Sequence, residues 1–349
     1  MTHDVLVRHL RIRPGDRGRV NPEVNDALGI LNPGRGRDQV YNVVIDHCSF
    51  SWSEDEVVST WYAARDVTLS WCIISEALNR ARHPKKTHSA GLLIGDASDR
   101  VTVHHCLLAH NDFRNPLIIG GTHDFSNNVI YNWGDIPAEI YDHGGLDTRV
   151  NFTGNTYRAG PSTTARPFTI ILDRKAAPDS PRLFVADNLT PRRTSAQVAD
   201  WSIVGLGWGD VPAPRTHQAT EPFPVAPVTR QVADDLEPLL RRVGATLPRR
   251  DPVDERIVAE VRAGRGRIID SPDDVGGYPA MHSGAPPVDS DLDGMPDKWE
   301  RARGLDQIDP TDGAARSSNG YTHLENYLNE LAGDPVPGNP CAAPIPPEP

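Results

Sequence analysis

Short apolar stretches, each interrupted by one small residue, recur along the first half of the chain. Cysteine holds this place at Cys48, Cys72 and Cys106. Asparagine holds it at Asn128 and Asn155, and the successive spacings are 24, 34, 22 and 27 residues. Strands repeating at such intervals, with insertions of variable length, are typical of a solenoid whose coils stack about 4.8 Å apart. We therefore predict an all-β fold, a parallel β-helix, with these side chains stacked as an interior ladder.

The composition excludes several classes of protein. Lys and Arg number 36 against 47 Asp and Glu, a formal net charge of −11, which argues against a nucleic-acid partner because phosphates are bound by basic surfaces. No apolar run approaches the ~20 residues of a membrane helix, so we expect no membrane partner. Four cysteines at wide spacing do not indicate a disulfide scaffold or a zinc finger. The first residues lack the pattern of a signal peptide, so we expect an intracellular protein or a chain that begins after its targeting segment.

The repeat divides the chain into four predicted regions. Residues 1–190 form the β-helix domain. Residues 191–285 are rich in proline, with helices expected at 229–243 and 254–263, and either wrap along the solenoid or link it to the third region. Residues 286–333 form this third region, a small helical calcium module of the EF-hand or dockerin type, and residues 334–349 form a proline-rich solvated tail.

Residues 289–300 fit the calcium-loop pattern D-x-D-x-D-G-x5-E at every defined position. Alternate carboxylates can converge on one hard cation, glycine allows the sharp turn, and the final glutamate can bind through both oxygens. The predicted metal residues are Asp289, Asp291, Asp293, Met295, Asp297 and Glu300. A helix should follow through residues 301–303. A weaker echo around Asn319, Gly320 and Glu325 lacks the other carboxylates, and we expect calcium to stiffen this module and not to act in catalysis.

Three short motifs resemble those of the pectate lyase family. Residues 43–47, V-V-I-D-H, resemble its v-W-i-D-H signature, and residues 113–116, F-R-N-P, resemble the start of its R-x-P-x-x-R signature. Residues 25–30 resemble a D-A segment one coil earlier, and the similarity covers about residues 5–189. The resemblance implies a right-handed parallel β-helix, calcium-dependent β-elimination on polygalacturonate, or pectin, and secretion.

The resemblance also implies roles for individual residues. Arg114 matches the family's general base, and such a base should favour alkaline pH because a guanidinium rarely loses its proton. Asp26 and Asp55 are the first candidates for calcium ligands, followed by Glu56 and Glu54. Asp46 and His47 are expected to support the coil through hydrogen bonds. The predicted substrate-binding residues are Lys85, Lys86, His88 and Asn115.

The sequence departs from the family pattern in three places. Ile119 stands where the second arginine of the signature would be, and Ala90 stands where relatives often carry a substrate-binding lysine. The first coils and the capping helix usual in the family are also missing, so we expect weaker substrate binding. Two alternatives stay open: a hydrolase of the polygalacturonase type, with Asp142 and Asp147 as its acids, and a non-catalytic pectin-binding protein. The protein is expected to be a monomer.

Overall fold

The computed structural model describes residues 1–18, 20–34, 39–142, 146–173, 180–207, 211–229, 235–281 and 284–333. These residues belong to two compact units, Met1–Pro279 and Ala280–Pro349. The predicted tail, 334–349, lies outside the described residues. Across the described ranges, no helix combines the length and the apolar character that a membrane crossing requires.

Three sheets of stacked strands form the first unit. Sheet A has seven strands, in the order Thr2–Arg8, Val40–Asp46, Arg65–Ser70, Asp99–His104, Gly121–Ser126, Thr148–Thr153 and Arg182–Ala186. Sheet B has six, Arg11–Ile12, Ser49–Ser51, Ile73–Ser75, Leu107–Ala109, Val129–Tyr131 and Thr156–Arg158. Sheet C has eight, Leu28–Leu31, Glu56–Trp61, Ala90–Ile94, Leu117–Ile119, Ala138–Tyr141, Ile170–Leu172, Val204–Leu206 and Val211–Pro212. Each coil runs from A to B to C, and among the described strands of these three sheets only the final pairing of sheet C is antiparallel. The right-handed parallel β-helix is confirmed.

The interior ladder runs through the bend between sheets A and B. The three cysteines of the ladder are fully buried and unpaired by disulfides. The backbone N–H of Cys106 donates to Asn128 Oδ1 at 2.9 Å. The side-chain amides of Asn128 and Asn155 donate in turn to the amide oxygens of Asn155 and Asn188, at 3.1 and 2.9 Å. The asparagine part therefore extends to Asn188, one coil beyond the predicted repeat.

Helices of the proline-rich segment cover sheet B. Helix α1 spans Glu237–Arg242, shorter than the expected 229–243, of which 230–234 lie outside the described residues. Helix α2 spans Pro252–Ala263, starting two residues before the expected 254 because Asp251 caps its N-terminus. The apolar side of α2 packs in one buried cluster with Ile73, Leu107 and Val129 of sheet B. Short 3-10 helices occur at Pro22–Val24, Asp200–Ile203, Arg215–His217 and Pro272–Val275.

In the described part of the second unit, an acidic loop is followed by two short α-helices. Helix α3 spans Asp297–Arg303, so it begins inside the predicted calcium loop, and it ends at Gly304, whose φ is 72°. A 3-10 helix comes next at Asp312–Ala314, and helix α4 spans His323–Leu331. Within residues 284–296 no helix precedes the loop, which sets it apart from a helix–loop–helix EF-hand. Glu325 of the weaker echo caps α4, since its side chain accepts from the backbone N–H of Thr322.

Candidate active site

Three carboxylates meet where the strands of sheet C begin. Glu56 opens the strand Glu56–Trp61, Asp55 directly precedes it, and Asp26 lies before the neighbouring strand of the previous coil. One oxygen from each of the three lies within 4.8 Å of the others. The stacking of coils thus brings together three predicted metal ligands that are up to thirty residues apart in the chain.

The environment of Asp26 suits a bound cation. Burial, with a smaller effect from the charge of Asp55, raises the pKa of Asp26 to about 6, against the hydrogen bond from Ser59 and the charge of Arg114. Among the described residues, the buried Oδ1 of Asp26 has no hydrogen-bond partner. Calcium prefers such oxygen ligands, and several carboxylates in one place supply the charge it needs. The residues present therefore fit calcium.

Two buried histidines lie behind Asp55. His88 Nε2 is 2.9 Å from Asp55 Oδ1, and His83 Nε2 is 3.7 Å from the same oxygen. The two rings stack with their centroids 4.1 Å apart. The backbone N–H of Lys85 donates to His83 Nδ1 at 3.1 Å, so the neutral ring carries its proton on Nε2, facing Asp55. His88 is thus within hydrogen-bond distance of Asp55 and His83 lies beyond it, and the three residues form a second group that could hold a metal ion.

Arg114 extends into the same group of carboxylates. Its backbone has a left-handed φ of 58°, and its carbonyl accepts the N–H of Leu92 at 2.7 Å. The guanidinium forms an ion pair with Glu56, and the side chain is 19% exposed. Burial lowers the pKa of Arg114, opposed mainly by the negative charges of Glu139 and Asp55. A mostly buried guanidinium among carboxylates is a group whose proton affinity depends strongly on its partners.

The loop that carries Arg114 is fixed by close backbone packing. A Cβ at Gly91 would lie 2.6 Å from Asn115 Oδ1 and 2.8 Å from the carbonyl oxygen of Arg114, so glycine is required there. Asn115 is 1% exposed. Its amide oxygen accepts from the side chain of Asn111 at 3.1 Å, and its amide nitrogen donates to the Asn111 carbonyl at 3.3 Å. Both polar groups of Asn115 are therefore used inside the loop.

The predicted substrate-binding residues divide into two kinds. Lys85 and Lys86 are exposed on the turn before the strand Ala90–Ile94. His88 is 2% exposed and lies against Asp55, and Asn115 is buried within its own loop. The structure therefore presents the two lysines to solvent and keeps the other two inside.

The amino-acid sequence is similar to those of several curated proteins. A protein of Neosartorya fischeri named probable pectate lyase C is 30% identical over 330 residues, covering 94% of this chain and 72% of that protein. The chain belongs to the pectate lyase family. A protein of the same name from Aspergillus fumigatus gives the same identity and coverage, and one from Emericella nidulans is 28% identical over 338 residues. No family model matches the chain. The family predicted from three short motifs is confirmed.

Glu139 also lies next to Arg114, although no motif in the sequence marks it. It pairs with Leu117 in sheet C, one coil beyond Arg114, and is 5% exposed. Burial raises the pKa of Glu139, against the hydrogen bond that Tyr141 donates to Oε1 at 2.7 Å and the charge of Arg114. The signal that could reveal it is the alternation A-E-I-Y, which puts Glu139 on the outer face of a buried strand next to the site.

Two further positions are Ile119, a departure from the family pattern, and Glu54, a candidate calcium ligand. Ile119 is 5% exposed and packs with Leu93 and Leu117, so an apolar cluster fills the place of the second arginine. Glu54 bonds to Asn25 and forms an ion pair with Arg82. Burial disfavours the charge of Glu54, but hydrogen bonds from Arg82 and Asn25 outweigh it and lower its pKa.

Asp46 and His47 of the signature stay outside the carboxylate group. His47 Nδ1 is 2.8 Å from Asp46 Oδ2, and Ser70 Oγ donates to Asp46 Oδ1 at 2.6 Å. Burial opposes the charge of Asp46, but these contacts and the charge of Arg8 lower its pKa to about 2. The pair ties neighbouring strands of sheet A together.

The acidic loop of the second unit gathers a separate set of carboxylates. Oxygens of Asp289, Asp291 and Asp293 lie within 4.8 Å of one another. Met295 is fully buried, and the carboxylate of Asp297 accepts from Ser290. Glu300 faces the loop, and burial, followed by the charges of the neighbouring aspartates, raises its pKa to about 7.

Proposed function

We propose that this chain is a calcium-dependent pectate lyase that cleaves polygalacturonate by β-elimination and releases unsaturated oligogalacturonides. The observation that carries the proposal is Arg114, a mostly buried arginine held against a group of three carboxylates. The names of the relatives, probable pectate lyase C, support the same activity.

In this proposal Arg114 removes the proton at C5 of a galacturonate residue. The C5–H electrons form the C4=C5 double bond, the bond from C4 to the glycosidic oxygen breaks, and that oxygen leaves on the neighbouring sugar and takes up a proton. Burial already lowers the pKa of Arg114, opposed mainly by the charges of Glu139 and Asp55, and Glu56 forms an ion pair with its guanidinium. When Glu56 is engaged elsewhere, Arg114 loses this counter-charge and its neutral form becomes more accessible.

Asp26, Asp55 and Glu56 would hold the calcium ion. Calcium bound there would supply positive charge to the substrate carboxylate, which stabilises the charge that develops at C5. Asp55 is oriented by His88, and the amide of Asn115 keeps the Arg114 loop in place, so in the proposal these two residues position the site from behind. Lys85 and Lys86 are exposed and of the right charge to bind further carboxylates of the polymer.

The remaining parts of the proposal concern the whole protein. In the proposal, the proline-rich segment from residue 191 covers the β-helix as far as Pro279, where the first unit ends, because α2 packs on sheet B. Residues 286–333 serve as a calcium module. The family habit supports secretion, and we propose that the protein acts as a monomer on pectin.

Ultraviolet absorbance of unsaturated uronate tests the reaction directly. Polygalacturonate would be incubated with the protein at about pH 9, with calcium and with chelator. Absorbance should rise only with calcium. Arg114→Ala should lower kcat by about 10²- to 10⁴-fold, the usual contribution of a general base. Arg149→Ala is the matched control, because Arg149 is a half-exposed arginine paired with Asp147.

The two alternatives predict different outcomes of the same assay. New reducing ends without absorbance would support a hydrolase. Polymer binding without either product would support a binding protein. A calcium-dependent rise in absorbance that Arg114→Ala leaves unchanged would keep the lyase but remove Arg114 as its base.

A further inference from the structure

The acidic loop of the second unit is joined by a carboxylate from outside it. Asp312 lies on the 3-10 helix Asp312–Ala314, twelve residues after the loop ends at Glu300. One oxygen each from Asp293, Glu300 and Asp312 lies within 4.8 Å of the others. Asp293 also belongs to the group formed by Asp289 and Asp291, so the two groups share a member.

The carboxylate of Glu300 indicates that this group of oxygens surrounds a site for a bound ligand. The side chain of Glu300 is fully buried, and within the described ranges neither of its carboxylate oxygens has a hydrogen-bond partner. Asp291 Oδ2, Asp293 Oδ2 and Asp312 Oδ1 are also buried without partners in that part of the chain. A buried carboxylate without hydrogen bonds is costly, and a cation is the partner that removes the cost for all of them together.

The carboxylate of Asp297, the ninth residue of the loop, is hydrogen-bonded to Ser290. Its Oδ1 accepts the backbone N–H of Ser290 at 2.8 Å, and its Oδ2 accepts the hydroxyl of Ser290 at 2.9 Å. Both oxygens therefore hold the start of the loop in shape. In a calcium loop of this pattern the ninth position usually contributes a ligand, often through water.

Asp312 is held with one oxygen close to Asp293 and Glu300. Its Oδ2 accepts the backbone N–H of Asp306 at 3.0 Å, which leaves Oδ1 directed at the group. The next residue allows this approach: a Cβ at Gly313 would lie 2.4 Å from Asp293 Oδ2. Glycine at 313 thus lets the 3-10 helix come within contact distance of the loop.

We propose that the second unit binds one calcium-like divalent cation through Asp289, Asp291, Asp293 and Glu300, with Asp312 as a further ligand from outside the loop. Asp297 shapes the loop and does not bind the cation. The all-oxygen, carboxylate-rich set suits calcium better than softer metals. The inference does not rest on the proposed lyase function, because it concerns only residues of the second unit.

Calorimetric titration of the full chain with calcium tests the assignment. All variants would carry Asp26→Asn, which removes a carboxylate from the β-helix group, so that the second unit dominates the binding. Asp312→Asn should weaken calcium binding at least about tenfold, since one charged ligand is lost. Asp297→Asn removes the same charge from the same unit and should change the affinity less than about threefold, because asparagine can still accept from Ser290.

Thermal unfolding without calcium separates a ligand from a structural residue. There Asp312→Asn should leave the melting temperature of the second unit unchanged or raise it, because repulsion from Asp293 and Glu300 falls. With calcium the same variant should melt lower than the parent.

Three results would overturn the inference. One is absence of calcium binding in the Asp26→Asn parent. Another is a loss of affinity in Asp297→Asn as large as in Asp312→Asn. The last is destabilisation of the calcium-free unit by Asp312→Asn, which would mark Asp312 as a structural acceptor for Asp306.

Discussion

Burial sets the charge state of the two central residues of the β-helix site. It raises the pKa of Asp26 and lowers the pKa of Arg114, so each group is shifted toward its neutral form. The hydrogen bond from Ser59 and the charge of Arg114 partly restore the charged form of Asp26, and the charges of the neighbouring carboxylates partly restore that of Arg114. Such a site responds strongly to any further charge, because in a low dielectric each unit charge interacts more strongly than in water.

The shifted pKa of Asp26 predicts how calcium binding varies with pH. Its folded-state pKa of about 6 lies above the ordinary 3.8, so the metal-free fold is favoured at low pH and loses stability as pH rises through 6. Calcium needs the ionised form, so its affinity for this site should be about tenfold lower at pH 5 than at pH 7. Calcium titration at the two pH values measures this. In Asp26→Asn the pH dependence should flatten, and an unchanged slope would mean that another group controls it.

The contact between His88 and Asp55 predicts that two substitutions of His88 differ in their effect on calcium affinity. His88→Ala removes the donor to Asp55 and should weaken calcium binding by about tenfold, a usual effect of losing a partner behind a metal ligand. His88→Gln keeps a donor and should retain most of the affinity. His104→Ala, on sheet A, serves as the control. Calcium titration of the three variants would contradict the role if His88→Gln were as weak as His88→Ala.

At the scale of elements, the register of sheet C gathers the site. The sequence predicts the coils because each ladder residue is marked by its own neighbours, as in V-T-V-H-H-C around Cys106. It also predicts Asp26, Asp55 and Arg114, but only through motifs. It does not predict Glu139, whose place depends on pairing with Leu117 in another coil. The same holds for Asp312, because its approach to the loop depends on a tertiary contact at Gly313.

The packing of helix α2 on sheet B predicts that one apolar side chain contributes strongly to the free energy of unfolding. Ile257 is fully buried in the cluster between α2 and sheet B. Ile257→Ala should lower the free energy of unfolding by about 2–5 kcal/mol, the range for a buried aliphatic side chain replaced by alanine. Urea unfolding at fixed calcium measures it. Glu255→Gln, at an exposed position of the same helix, should stay within about 0.5 kcal/mol. A loss below about 1 kcal/mol for Ile257→Ala would mean that α2 adds little to the stability of the coils.

At the scale of the whole molecule, the net charge of −11 has to be reconciled with a polyanionic substrate. Like charges repel, and the exposed Lys85 and Lys86 offset only part of this. A cation shared between protein and substrate carboxylates would turn the repulsion into attraction at the site itself. Calcium therefore matters in two ways in the proposed function, for binding the polymer and for the reaction.

The division into two units predicts that their carboxylate groups can be disabled separately. Asp55→Asn should lower kcat/KM at least about hundredfold, because it removes a calcium ligand beside Arg114. The same variant should keep the calcium-dependent rise in melting temperature that belongs to the second unit. Glu300→Gln should abolish that rise and leave kcat/KM within about threefold of the parent. The absorbance assay and scanning calorimetry, each with and without calcium, measure the two effects. A large fall in kcat/KM for Glu300→Gln at saturating calcium would mean that the cation of the second unit takes part in the reaction.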